Sequence, residues 1–124
     1  MSGEIRVKNA RKSSMKLPNP DNAIIDEQKL TGYCLNPNHP EGQHKARVFK
    51  SALDLDLDDA EELKIALLEA VKTYEAIPAK SNPYGQKYII DFPMNRASKT
   101  AIIYSVWIVK NQENFPRLVT CYVL

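Results

Sequence analysis

The chain has 124 residues, of which 44% are hydrophobic and 26% charged, and its formal net charge is +2. That length suits one domain with a real core. So small a net charge excludes an overall field that would by itself demand nucleic acid or a membrane surface. No run approaches the roughly 18 apolar residues of a membrane span, and the polar, basic N-terminus lacks the apolar run of a secretory signal.

Charge is spread unevenly. Residues 1–16 carry Arg6, Lys8, Arg11, Lys12 and Lys16 against Glu4, which reads as a flexible basic arm with little to bury. Residues 17–124 read as a single α+β domain. Its two cysteines, Cys34 and Cys121, are far apart in sequence and read as buried thiols of a reducing, cytoplasmic compartment.

Leu17-Pro18-Asn19-Pro20-Asp21-Asn22 is an extended or turning segment, because each proline restricts the residue before it. Ile24-Ile25 suits a short edge strand. Asp26 is placed to cap a short helix, with Ile25 and Leu30 as its hydrophobic staple. That helix presents Leu30, Tyr33 and Cys34 on one side and ends at Asn36-Pro37. A second helix is expected from about Gln43 to Leu53, burying Ala46, Phe49, Ala52 and Leu53. In the third, Asp58 is the expected cap and Glu61 its capping-box partner. Apolar residues then recur at three and four from Leu63 to Tyr74 and Ile77, until Pro78.

The remainder reads as strands over 86–92, 100–109 and 117–124, joined by hairpin loops at 93–99 and 110–116. The middle strand is apolar on both faces and so belongs inside the sheet. The last alternates Val119, Cys121 and Val123 against Leu118, Thr120 and Tyr122. The expected fold is therefore α+β, with about three N-terminal helices packed on a three- to four-stranded antiparallel sheet.

Composition and pattern alone do not name an activity. Asp54 to Asp59 starts like a calcium loop, but Asp59 stands where the turn needs glycine and Ile65 where a bidentate glutamate belongs. Cys34, His39, His44 and Cys121 match no standard zinc spacing. No Gly-rich phosphate cradle is present. His44-Lys45, with Arg47 following, is the pair best suited to chemistry. A histidine that titrates near neutrality beside a fixed cation suits metal-independent phosphodiester cleavage. There a base removes the ribose 2′ proton and cations hold the phosphorane charge. Read plainly, the same histidine is a solvated residue near a helix start. Lys87, Arg96, Lys99 and Arg117 are interleaved with Tyr84, Tyr88, Tyr104 and Trp107. Cations beside stacking rings are what single-stranded RNA recognition requires, although Tyr88 and Trp107 also fit a core.

The motifs Leu17-Pro18-Asn19, Asn36-Pro37-x-His39-Pro40, Gly42-x-His44-Lys45-Ala46, Tyr84-Gly85-x-Lys87-Tyr88 and Pro116-Arg117-Leu118-Val119-Thr120 follow one another in order. Together they resemble a small bacterial family described as a domain of unknown function. Its layout is similar to the barnase–EndoU–colicin–RelE-like superfamily of metal-independent RNase toxins. The resemblance implies a cytoplasmic endoribonuclease toxin of a toxin–antitoxin type system, with no metal or other cofactor. Its partners would be RNA and a small cognate antitoxin, with no membrane involved. It also implies catalytic roles for His44, Lys45, Lys87, Arg117 and Thr120, and substrate binding by Arg47, Tyr84 and Arg96. Strand alternation sets Arg117 and Thr120 on opposite faces, so a shared site needs a bulge between them. The alternative expectation is a non-catalytic domain that binds a small partner protein through its sheet edge.

Overall fold

The computed structural model describes residues 15–124. The expected arm lies outside these up to residue 14. Met15 and Lys16 already belong to the fold: Met15 pairs with Ala76, and the Lys16 ammonium donates to the Lys72 and Thr73 carbonyls at a helix end. A cation there satisfies carbonyls that have no partner within the helix.

The chain is mixed α and β. Two α-helices, α1 (Gly42–Leu53) and α2 (Ala60–Thr73), follow a π turn at Leu30–Cys34. Four antiparallel strands come next: β1 (Ile77–Pro78), β2 (Gly85–Arg96), β3 (Lys99–Lys110) and β4 (Pro116–Val123), in the order β1-β2-β3-β4. The helices thus occupy the middle of the chain rather than its N-terminus. Irregular backbone precedes them, including a 3-10 turn at Pro20–Asn22. Ile24 is bridged in parallel to Arg117, so it covers the start of the β4 edge.

Several expected boundaries move for physical reasons. The capping box before α2 is made by Asp56 and Asp59 around a 3-10 turn, not by Asp58 and Glu61. In a run of acids, the pair whose geometry closes the turn becomes the cap. α2 stops at Thr73, before the expected Pro78, and Ile77 pairs with Ile89 in β1. The β2–β3 hairpin is much longer than expected, because Pro93 lies inside the ladder opposite Ile102. Lys87 turns its carbonyl to Ala79 on the β1 side, so Pro93, six residues on, points its missing donor to the open edge beyond β1. A strand tolerates proline there.

The inner face of the sheet carries Ile90, Phe92, Ile103, Trp107, Leu118 and Cys121 against Phe49 and Leu53 of α1 and Leu63, Leu67 and Val71 of α2. Among the described residues, no helix lies over the other face. On β4, Leu118 pairs with Trp107 while Thr120 pairs with Val106, so Val119 is an extra residue. This bulge returns Arg117, Thr120 and Tyr122 to partners on a single face of β3, namely Ile108, Val106 and Tyr104. It also puts Leu118 and Cys121 together in the core, against simple alternation.

Candidate functional site

Past Leu118, whose N–H donates to the Ile24 carbonyl, the edge of β4 faces a pocket of about 520 Å³ lined by Asp26, Gln28, Lys29, Tyr33, Lys45, Val119 and Thr120. Two local devices build it. The His39 ring uses Nδ1 to accept the N–H groups of Glu41 and Gly42, at 3.0 and 2.9 Å. A ring nitrogen that accepts carries no proton, so the neutral tautomer has its proton on Nε2. The same ring meets Tyr33 edge-on, with centroids 4.8 Å apart. One histidine therefore starts α1 and braces a tyrosine of the pocket. Gly42 is required where it stands, because a Cβ would overlap the Tyr33 carbonyl.

Lys45 projects from α1 between two rings. Its ammonium lies 4.9 Å from the Tyr33 centroid and 5.6 Å from that of Tyr122, and it donates to the Tyr33 hydroxyl at 3.3 Å. Tyr122 in turn stacks on Tyr104, with centroids 4.8 Å apart. Burial and the neighbouring Tyr122 and Asp91 push the Tyr104 phenol above its ordinary value. A lysine flanked by aromatic faces can lay its stem on apolar surface while its head rests against the rings.

Behind this layer lie both cysteines, fully buried and free. The Cys34 sulfur is 3.6 Å from the Thr120 hydroxyl oxygen. The Cys121 thiol hydrogen-bonds to Cys34 and, with the Cys121 backbone, Thr120 and the charge on Lys45, brings the Cys34 thiol down to about 6 against the opposing effect of burial. Cys121 moves the other way, well above the ordinary thiol value, because it supplies the proton of that pair and is itself buried. Among the described residues, no group of three or more histidine, cysteine or acidic side chains gathers to hold a metal ion.

The other singled-out residues lie elsewhere. His44 is exposed on α1 and lines none of the pockets described. Arg47 lines a separate groove with Leu35, Lys50 and Asp58. Arg96 is engaged internally: its guanidinium meets Asp59 and Glu62 and donates to the Leu53 and Asp54 carbonyls. Arg117 makes two 2.8 Å bonds to Glu113 and lies over Phe115. Lys87 and Tyr84 share a hollow on the uncovered face with Lys110 and Val119. The pocket thus brings Lys45 and Thr120 together, while His44, Arg47 and Arg96 stay apart from it.

Sequence reasoning passed over Asp26, Tyr33 and Tyr122, which read as a cap, a helix stripe and a strand position. The one signal for Tyr33 was His39, set just before a helix start where a ring nitrogen can cap. Among the described residues, no helix is long and apolar enough to cross a membrane.

No curated protein and no solved structure matches the chain. A family model described as domain of unknown function DUF6883 matches residues 16–124, and the chain therefore belongs to that family.

Proposed function

We propose that the domain is a metal-independent endoribonuclease toxin whose reacting phosphate sits in the pocket beside the β4 bulge. The observation that carries this reading is the meeting of Lys45 and Thr120, from helix and strand, in one open pocket with a hydroxyl-bearing ring and a carboxylate. Asp26 removes the 2′ proton. The 2′ oxygen attacks phosphorus, and the bond to the 5′ oxygen breaks. The Tyr33 hydroxyl, which already accepts from Lys45, protonates the leaving oxygen. Lys45 and the Thr120 hydroxyl stabilise the charge that develops on the phosphorane. The products are a 2′,3′-cyclic phosphate and a 5′-hydroxyl. His44 has no part in this arrangement.

The test incubates purified protein with total RNA in the presence of a chelator. Cleavage to cyclic-phosphate ends is expected. It should fall roughly a hundredfold in Lys45→Ala, the scale of losing one oxyanion stabiliser, and persist in His44→Ala. Production of the protein alone in a bacterium should arrest growth, and Lys45→Ala should relieve the arrest. Intact RNA together with unimpaired growth overturns the reading.

One observation favours a second reading. The uncovered face shows Ile102, Tyr104, Val106 and Tyr122 to solvent or leaves them half-buried, which suits a small cognate protein laid on the sheet or its β4 edge. Coexpression with a cognate partner would give a stable complex whose formation Ile102→Asp weakens.

A further inference from the structure

Tyr84 is the most exposed of the large apolar side chains among the described residues, at 73%. Its backbone is nevertheless fixed. The Asn82 side-chain oxygen accepts the N–H groups of Tyr84 and Gly85, at 2.8 and 3.1 Å. From the β3–β4 loop, Asn111 donates its backbone N–H to the Tyr84 carbonyl at 2.9 Å and its side-chain amide to the Pro83 carbonyl at 2.7 Å. Gly85 lies so close to β3 that a Cβ would overlap the Val109 carbonyl. The turn is clamped from both sides while its ring is presented to solvent. A ring carried on a fixed backbone has only its two side-chain torsions to lose on binding a flat partner.

Tyr84 borders a hollow of about 660 Å³ that also contains Lys87 and Lys110, with Ile108 and Val119 among its walls. Glu113 is the one acid lining it, and Arg117 neutralises that acid through two hydrogen bonds. Neither Lys87 nor Lys110 makes a salt bridge among the described residues. The hollow thus pairs a stacking ring with two ammonium groups. Val119 lines both this hollow and the Lys45–Thr120 pocket. The bulge is the point where the two meet, so one extended polyanion can occupy both.

We propose that single-stranded RNA crosses β4 at the bulge, with a base stacked on Tyr84, its phosphates on Lys87 and Lys110, and the scissile phosphate at Lys45 and Thr120. Stacking on a protein ring needs a free base face, which a duplex covers with the next base pair. The identity of the polymer rests on the endoribonuclease reading; the platform itself is tested by binding alone.

The experiment measures fluorescence anisotropy of labelled polyuridine against the full chain carrying Lys45→Ala, which cuts the probe roughly a hundredfold more slowly. In that background, adding Tyr84→Ala should lower affinity roughly tenfold, the scale of one lost stack, while Tyr84→Phe keeps it. Lys87→Ala with Lys110→Ala should reduce the salt slope by roughly one to one and a half, two phosphate contacts on a single strand. A polyadenine–polyuridine duplex should compete at least tenfold less well. Absence of binding, binding indifferent to Tyr84→Ala, or duplex binding of equal strength overturns the platform. The two readings fail separately. Cleavage by the wild-type chain with no effect of Tyr84→Ala on binding removes the platform and leaves the nuclease. Tyr84-dependent binding without cleavage removes the nuclease and leaves a single-strand binding site.

Discussion

Ser105 and Trp107, two residues apart on β3 and both fully buried, share one hydrogen bond: the indole Nε1 donates to the Ser105 hydroxyl at 2.9 Å. The serine hydroxyl in turn donates a hydrogen bond to the Ile90 carbonyl at 2.7 Å. Positions two apart on a strand share a face, so the largest core side chain can satisfy its only polar atom without leaving its own strand. Ser105 is the one buried polar residue among those described. Ser105→Ala leaves the indole N–H without its partner and should destabilise the domain by about 1–3 kcal/mol, measured by denaturant unfolding with an unchanged m-value. A stability equal to wild type would show that Trp107 finds another acceptor.

Arg96, at the end of β2, is the tie between the long hairpin and both helices. Its guanidinium stands 2.9 Å from Asp59 and 2.9 Å from Glu62 while it also donates to two carbonyls at the end of α1. These carboxylates raise its pKa, with the Glu62 hydrogen bond acting most strongly. Arg96→Ala should lower the melting temperature by several degrees. Arg96→Lys should recover only part of that, because an ammonium cannot reproduce the planar fork. RNA affinity of the Arg96→Ala protein, measured well below its melting temperature, should be unchanged. A drop in affinity would place Arg96 in the binding surface.

Gly85→Ala tests the close approach of the Tyr84 turn to β3. The obstacle is the carbonyl of Val109 and the Cα of Lys110, backbone that cannot swing aside. The substitution should cost about 1–3 kcal/mol, typical of forcing atoms into a packed site. It should also weaken polyuridine binding, because the turn must shift. Retained stability would mean that β2 and β3 separate easily at this end.

The cysteine pair makes stability depend on pH. Cys34 is held at about 6 in the fold, against an ordinary 9.0. Between those values the unfolded chain keeps a proton that the native state has released, so stability rises with pH across that window. Below it the contribution is lost, as both states are protonated. Above the ordinary value the sign reverses through Cys121, which the fold keeps protonated while the unfolded chain ionises. Unfolding free energies measured from mildly acidic to alkaline pH should pass through a maximum near the ordinary thiol value. Cys34→Ser should remove the rising limb. A rising limb that survives this variant would assign it to another group.

The strand pattern, the buried stripe of α1 and the placement of β3 inside the sheet were legible in the sequence, because each follows from the period at which apolar residues recur along one element. Family membership was legible too, through short motifs in order. The ends of elements were less so. Pro93 is compatible with a strand only because β1 is too short to reach it, and the acid that caps α2 was selected by geometry among near-identical neighbours. The site depended on tertiary structure. His44 and Lys45 are adjacent in sequence, yet only Lys45 reaches the β4 edge, because a helix rotates successive residues to different sides. Arg117 and Thr120 share a face only because Val119 bulges, and a bulge is fixed by what β4 packs against rather than by its own residues. The sequence supplied the cation and the hydroxyl; the bulge and the uncovered edge of β4 brought them to one pocket, since contacts distant in sequence exist only once the core has set the register.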